Sequence, residues 1–267
     1  MTNFQDYIKK IRSNGHYSFT SEEVMNDLGL SPGALNAAVH KLKKKGELVS
    51  PARNLYVLVP PEHQNMGCIP AQDLIPILMK HWQLSYYVCL LSAADFHGVS
   101  HQKPQVFQVM VGKRIKPLSL GKLKIEFIYK NSLKDLPIIQ KTVNTGYLSI
   151  SSPALTMMDL LLYPFRSGGL NPTATIFSEL IDLVDPVALG TLMKQSNEIA
   201  WTQRLGFILE HIDTMNESHK NKLIHVIKKH LNKIQLRPIP LVPKLPKTKI
   251  SPDSTWSVIE NASIEID

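Results

Sequence analysis

The chain has 267 residues, which is enough for one large domain or two of ordinary size. Its 43% hydrophobic and 19% charged residues are typical of a folded globular protein and exclude a disordered one. The start of the chain lacks the basic and apolar regions of a secretory signal, and no stretch approaches the roughly 18 apolar residues of a membrane span. Two cysteines, Cys68 and Cys89, build no disulfide framework. We therefore expect a soluble cytoplasmic protein that does not contact a membrane.

The formal net charge of +8 lies mostly near the end of the chain. Residues 218–252 contain nine lysines and arginines and no acidic residue, which leaves 21 basic and 22 acidic residues elsewhere. Because phosphate neutralisation dominates nucleic-acid affinity, this stretch indicates a segment that binds a polyanion. A solvated lysine-rich helix face followed by a tail is the alternative interpretation.

Residues 1–60 contain, in order, the elements of a winged helix-turn-helix. Apolar side chains recur at helical spacing from Phe4 to Ile11, and a short strand follows. Thr20 and Glu23 form a capping-box pattern, which predicts that a second helix starts there.

A third helix is predicted to begin at Ser31 and Pro32, which suit its N-cap and first positions, and to end at Gly46. Two short strands at 48–49 and 55–58 complete a hairpin wing. In this motif the exposed side of the third helix enters the major groove of DNA. The outward-facing candidates on this helix, together with the wing tip, are Gly33, Asn36, Ala37, His40, Lys41, Lys43, Lys44, Lys45 and Arg53.

Each of these side chains suggests a contact. The Asn36 amide has the geometry to pair with both N6 and N7 of adenine. We expect His40 and Lys41 to reach bases or backbone, and the three lysines at 43–45 to contact phosphates. Arg53 is expected to enter the adjacent minor groove or to pair with the backbone. Two other interpretations stay open: the lysines complement the dipole of their own helix, or the unit is a protein-docking module.

A proline-bearing linker follows the wing, and residues 66–236 then predict an α+β domain with a small β-sheet and a C-terminal helical bundle. Strands are expected at 105–111, 123–129 and 147–150, and helices at 71–82, 88–97, 153–163, 173–184, 186–195, 198–213 and 216–235. Residues 237–267 begin with five prolines between positions 238 and 252, which predict an extended tail rather than a helix.

Patterns typical of metal and catalytic sites are weak in this chain. His97 and His101 stand four residues apart, but Gly98 breaks a helix between them and no HExxH glutamate is present. No P-loop lysine and serine follow the glycine pair at 168–169. We therefore expect no catalytic residue, no metal and no cofactor.

Three segments together carry a family resemblance. They are residues 86–98 (YYVCLLSAADFHG), residues 151–161 (SSPALTMMDLL) and residues 203–210 (QRLGFILE). In this order behind a winged helix, they resemble the AbiEi family of antitoxins from type IV toxin–antitoxin systems, and the resemblance spans about residues 3–235.

The resemblance implies a DNA-binding autorepressor that is not an enzyme. Its winged helix would bind inverted repeats of double-stranded DNA in its own promoter. Its larger domain would counteract a co-encoded AbiEii-like nucleotidyltransferase toxin without forming a stable complex. A protein that is monomeric in solution would then bind adjacent repeats cooperatively.

The same segments supply candidates for the antitoxin surface, namely Ser92, His97, Asp159, Arg204 and Glu210. In a structural interpretation, Asp159 and Arg204 instead form a buried pair, and His97-Gly98 caps the end of a helix. In the final helix, Lys222, Lys229 and Lys233 line one side and are candidates for additional phosphate contacts.

Two alternative functions remain open at this point. Glu126 and Lys130 faintly resemble the metal-binding strand of a nuclease, which would suit a DNA-processing enzyme targeted by the winged helix. The other alternative is a transcription factor without a toxin, whose second domain senses a small molecule.

Overall fold

The computed structural model describes residues 3–99, 103–246 and 251–265. The chain forms two compact units. The first unit comprises residues 1–87, 105–133 and 140–149, and the second comprises 88–104, 134–139 and 150–267. From the sequence we expect three domains, at residues 1–60, 66–236 and 237–267. These domain limits stay a prediction.

Residues 3–60 form the predicted winged helix-turn-helix. Its elements are α1 (Phe4–Ser13), β1 (Ser18–Thr20), α2 (Ser21–Leu28), α3 (Pro32–Lys44), β2 (Leu48–Ala52) and β3 (Leu55–Leu58). The strands pair antiparallel in the order β1-β3-β2. One cluster of buried side chains, including Tyr7, Phe19, Leu35 and Leu42, holds these elements together.

The helix starts follow from local hydrogen bonds that the sequence predicted. The Thr20 hydroxyl accepts from the Glu23 amide at 3.2 Å, and the Glu23 carboxylate accepts from the Thr20 amide at 2.6 Å. Gly29 then ends α2 in the left-handed conformation, with φ of 62°. The Ser31 hydroxyl caps α3 by accepting from the Ala34 amide. These caps fix the turn between α2 and α3 and hence the direction of α3.

The next six strands along the chain form a mixed sheet, most of which belongs to the first unit. Its strands are β4 (Tyr86–Val88), β5 (Phe107–Val111), β6 (Leu118–Leu120), β7 (Leu123–Tyr129), β8 (Ile138–Val143) and β9 (Gly146–Ser151), in the order β6-β7-β5-β4-β9-β8. Before the sheet, a short 3-10 helix (Pro61–Met66) leads to α4 (Ala71–Trp82). Three of these strands, β4, β6 and β8, were not predicted.

The second unit is a helical bundle around α6 (Pro153–Leu162), in which every residue from Ala154 to Leu161 is buried. Around it lie α5 (Leu90–Phe96), α7 (Leu170–Leu180), α8 (Pro186–Gln195) and α9 (Ala200–His211), and α10 (Glu217–Leu231) covers α8 and α9. A helix that is buried on all sides has to be surrounded by other elements, here by these helices. The class is therefore α+β with a helical bundle, as predicted.

The proline-rich end of the chain is also part of the second unit. Residues 237–246 contain no helix, as their prolines predict. Their short strand β10 (Ile239–Pro240) pairs in parallel with β11 (Val258–Ile259). Trp256, just before β11, is completely buried. The segment that the sequence describes only as an extended tail therefore folds back and packs.

Candidate functional site

The exposed face of α3 contains the residues that the sequence assigned to DNA. Leu35, Val39 and Leu42 are buried in the winged-helix core. All the predicted DNA-binding positions on α3 and at its end are exposed, namely Gly33, Asn36, Ala37, His40, Lys41, Lys43, Lys44 and Lys45. At Gly33 an added Cβ would meet no atom within 4 Å, so the fold itself does not require glycine there. The helix thus presents one continuous polar and basic face.

The lysines at the end of α3 differ in their surroundings. The Lys43 ammonium lies 5.8 Å from the centre of the Tyr56 ring in β3, which holds it on the wing side of the helix. Among the described residues, no carboxylate forms an ion pair with Lys41 or Lys44. These two ammonium groups are therefore available to an anion outside the protein.

The wing is a short turn whose backbone is held at two points. Asn54 adopts a positive φ of 61°, and its carbonyl accepts from the Ser21 amide at the start of α2 at 3.1 Å. The Arg53 carbonyl lies 3.1 Å from Nε2 of His81 in α4, so an Nε2–H donates to it. The exposed Arg53 side chain therefore projects from an anchored tip. Sequence reasoning missed His81 because its partner is 28 residues away.

Two acidic residues of α2 lie beside a cavity of the first unit. Glu23 and Asp27 line a cavity of about 740 Å³ in the first unit together with Tyr7, and none of its described lining residues belongs to α3. Burial, followed by the charges of Asp27 and Glu23, raises the pKa of Tyr7 to about 12. Two of the five acidic residues of the winged helix thus lie beside Tyr7 and are not among the residues of the α3 face.

Two of the five candidates for an antitoxin surface are buried in the interior of the second unit. Ser92 is 2% exposed and Asp159 is fully buried, so neither residue forms part of an accessible surface. The prediction of a shared surface is wrong for these two residues, because α5 and α6 turn these side chains inward to pack against each other.

His97 has a structural role at the end of α5. It is the C-cap residue, and Gly98 follows with a φ of 80°, which confirms the predicted helix cap. Its Nε2 lies 2.9 Å from the Ser151 carbonyl and 3.3 Å from the Thr156 hydroxyl. Because a carbonyl only accepts, Nε2 carries the proton and is not available as a base toward Thr156.

Arg204 and Gln203 bind the backbone of the C-terminal segment. The Gln203 amide donates to the carbonyls of Arg237, at 3.1 Å, and Trp256, at 2.8 Å. The Arg204 Nε donates to the Pro240 carbonyl at 3.0 Å. The predicted buried pair of Asp159 with Arg204 is therefore wrong, because Arg204 is directed to the C-terminal segment instead.

Gly206 and Glu210 hold the Trp256 side chain on the same face of α9. A Cβ at Gly206 would overlap the Trp256 ring, so only glycine leaves room for it. The Glu210 carboxylate accepts from the Trp256 indole and from the Lys228 ammonium, both at 2.6 Å. Burial opposes ionisation of Glu210, but these two hydrogen bonds lower its pKa. The segment QRLGFILE thus contains the residues that bind the end of the chain.

The basic residues of α10 and its surroundings divide into two groups. Lys220 is buried and donates to the Ile212 carbonyl, and Lys228 is paired with Glu210. The three candidates for phosphate contacts, Lys222, Lys229 and Lys233, are exposed. Lys247 and Lys249, which belong to the same basic stretch, lie outside the described residues, as does His101.

The described residues contain neither a metal-binding cluster nor a membrane-spanning helix. No group of three or more His, Cys, Asp and Glu side chains is arranged to hold a metal ion in the part of the chain that the structure describes. Over the same residues, no helix is both long enough and apolar enough to cross a membrane.

Comparison with protein families gives two matches. Residues 86–211 match the family model described as the AbiEi antitoxin C-terminal domain. Residues 6–59 match the model described as a transcriptional regulator, AbiEi antitoxin. The two matches together cover two thirds of the chain, and neither description is that of an enzyme.

Comparison with solved structures shows the same fold. The crystal structure of the RV2827C protein from Mycobacterium tuberculosis matches with a TM-score of 0.67 at 14% identity, covering 96% of this chain and 90% of that chain. At this identity the likeness shows the fold alone. No curated protein matches the chain.

Proposed function

This chain belongs to the AbiEi antitoxin family, and from that premise we propose that it represses its own operon and counteracts a co-encoded AbiEii-like nucleotidyltransferase toxin. Both matched domains are those of an antitoxin and transcription regulator. The observation that carries the repressor half of the proposal is the continuous exposed face of α3, with its unpaired Lys41 and Lys44.

In this proposal α3 lies in the major groove. Asn36, near its N-terminal end, reads an adenine, while His40 and Lys41 reach base edges or backbone. The lysines at its C-terminal end and Arg53 on the anchored wing neutralise phosphates or enter the minor groove. Lys222, Lys229 and Lys233 of the second unit are proposed as further phosphate contacts.

Binding to operator DNA tests the assignment to α3. Fluorescence anisotropy should show tight binding to the chain's own upstream DNA and weak binding to a shuffled duplex. Asn36→Ala should reduce discrimination at one base pair roughly 10-fold. Lys41→Ala with Lys44→Ala should weaken binding to every sequence and reduce the salt slope by about 0.9 for each lost contact.

The control removes the same charge elsewhere in the domain. Lys9 and Lys10 are exposed on α1, so Lys9→Ala with Lys10→Ala changes the net charge equally. If this pair of changes weakens binding as much as the α3 pair, only net charge matters and the α3 assignment fails.

Cooperative binding follows from the small charge of one winged helix. Residues 1–60 hold eight basic and five acidic residues, so one copy neutralises few phosphates. A second copy on an adjacent repeat gains affinity through contact with the first. Titration of a two-repeat duplex should be steeper than that of a single repeat, and identical curves would contradict cooperative repression.

Neutralisation of the toxin is proposed as a separate activity of the second unit. Co-expression with the neighbouring nucleotidyltransferase should restore growth even when Asn36, Lys41 and Lys44 are all changed to alanine. Purified antitoxin and toxin should elute separately in size-exclusion chromatography. Loss of rescue in the α3 variant would mean that the chain acts on the toxin only through repression of its operon.

A further inference from the structure

A cavity of about 390 Å³ lies in the second unit between α6, α9 and the C-terminal segment. Its wall is mostly apolar and includes Leu161, Phe165, Ile208 and Leu241. Its volume falls in the range of roughly 300–1,000 Å³ that small-molecule sites occupy. None of its described lining residues is acidic.

Arg204 places a positive charge on this apolar wall. Its Nε is used by the Pro240 carbonyl, but no acceptor among the described residues bonds its two terminal nitrogens. Burial lowers the pKa of the guanidinium, and the charge of Glu198 opposes this effect. A partly buried cation with free, forked donors is a recognition site for a carboxylate.

A second cation, Lys244, contacts the ring of one lining residue. The Lys244 ammonium lies 3.9 Å from the centre of the Phe165 ring, and Phe165 is 61% exposed although it lines the cavity. Lys244, next to Phe165, therefore adds a second positive charge near the cavity, besides Arg204 on its wall. The apolar lining favours a ligand whose remaining part is hydrocarbon.

We propose that this cavity binds a small amphipathic carboxylate, with its carboxylate paired to Arg204 and its hydrocarbon part among the apolar lining residues. The site goes beyond the proposed repression and toxin neutralisation. Because Leu241, Val242 and Pro243 form one wall, a bound ligand contacts α9 and the C-terminal segment together. Binding should therefore slow hydrogen exchange of the Leu241 amide, which donates to the Ile259 carbonyl.

Calorimetric titration of the full chain with octanoate tests the proposal. We expect saturable binding of one octanoate, with a negative heat-capacity change from apolar burial. Octanol and octylammonium, which have the same chain but no carboxylate, should bind at least about 10-fold more weakly. Inorganic phosphate, which lacks the hydrocarbon part, should not compete at equal concentration.

Two variants locate the ligand. Arg204→Met should reduce octanoate affinity about 10-fold or more, and Arg204→Lys should keep part of it. Because Arg204 also holds Pro240, Val242→Phe provides a second test that fills the half-buried wall without touching the guanidinium. Circular dichroism and a cooperative thermal transition establish that each variant is folded.

Three results of these titrations would contradict the proposed carboxylate site. No saturable binding to the wild-type chain, equal binding of octanol, or unchanged binding in both Arg204→Met and Val242→Phe would each overturn the proposal. Operator binding is measured independently on the same variants, so a failed ligand site and a failed repressor assignment are distinguishable.

Discussion

Gly206 lies where α9 packs directly against the Trp256 ring, with no room for a side chain between them. Glycine usually weakens a helix interior by about 1 kcal/mol relative to alanine. Here the loss is offset because the ring, which is completely buried, occupies the space that any side chain would need. The glycine in the segment QRLGFILE is thus explained by a residue 50 positions further along the chain.

Replacing Gly206 with alanine should release Trp256 from α9. We expect the free energy of unfolding to fall by about 3 kcal/mol, since the added methyl group overlaps the ring and the ring loses its buried site. The tryptophan emission should shift to longer wavelength as Trp256 meets water.

Gly190 in α8 supplies the matched control for this change. A Cβ there would meet only a methyl group of Val226, at 3.4 Å. Gly190→Ala should leave the emission unchanged and stabilise the protein by about 0.5–1 kcal/mol, because it improves helix propensity without overlap. An equal loss of stability in both variants would contradict the role assigned to Gly206.

Glu210 should make docking of the C-terminal segment sensitive to acid. Its pKa is lowered in the folded protein, so its contribution to stability is fully present above the ordinary glutamate pKa of about 4.5. The contribution is lost as the pH falls through the lowered pKa. At about pH 7, Glu210→Gln should cost about 1 kcal/mol, since the amide still accepts from Trp256 but no longer pairs with Lys228.

Urea unfolding of both proteins at neutral and acid pH checks this expectation. As the pH falls through the lowered pKa of the wild-type carboxyl, the difference between the two proteins should shrink toward zero. A difference that stays constant between neutral and acid pH would mean that the Glu210 charge does not contribute.

At the scale of elements, the sequence predicted the long periodic segments well and the short or exposed ones poorly. The predicted bounds of α4, β7 and α8 agree with the structure, because each has a clear apolar pattern between turn residues. The strand β4 has three residues and ends one residue before α5, and the helix predicted at 88–97 wrongly included its last residue, Val88. No residue of β8 is buried, so it lacks the alternation that indicates a strand.

The residues of the candidate site also differ in whether the local sequence could predict their roles. The exposed face of α3 follows from local periodicity, so every position assigned to it is exposed. The roles of Arg204 and Glu210 could not be read locally, because their partners, Pro240 and Trp256, are 36 and 46 residues away. A motif alone does not distinguish a surface that binds a partner from one that binds the chain's own end.

His81 provides a prediction about the wing as an element. Its ring donates to the Arg53 carbonyl, so His81→Ala should leave the wing tip less ordered without changing any residue that faces DNA. Operator affinity should fall about fivefold, which corresponds to one hydrogen bond of about 1 kcal/mol. His63→Ala, in the short 3-10 helix before α4, is the control and should bind normally. Unchanged affinity in His81→Ala would show that the anchor does not matter for binding.

At the scale of the whole molecule, two exposed sets of basic residues are candidates for contact with DNA. The first is the α3 face, and the second is the exposed lysine set on and just after α10. The remaining basic residues near α10 include Lys220 and Lys228, whose charges are used inside the second unit. Among the described lysines on and just after α10, the exposed Lys222, Lys229 and Lys233 are therefore the ones that we propose for an additional contact with DNA phosphates.

Salt dependence can determine whether both surfaces bind the same duplex. If Lys222, Lys229 and Lys233 each contact a phosphate, changing all three to alanine should lower the slope of log K against log salt by about 2.7. Lys113, Lys122 and Lys124 are exposed in the first unit, and their replacement by alanine removes the same charge as a control. Long-range attraction alone would weaken binding similarly in both triple variants, because net charge acts without contact. A slope that changes only in the α10 variant would establish direct contacts, whereas an unchanged slope would confine phosphate binding to the winged helix.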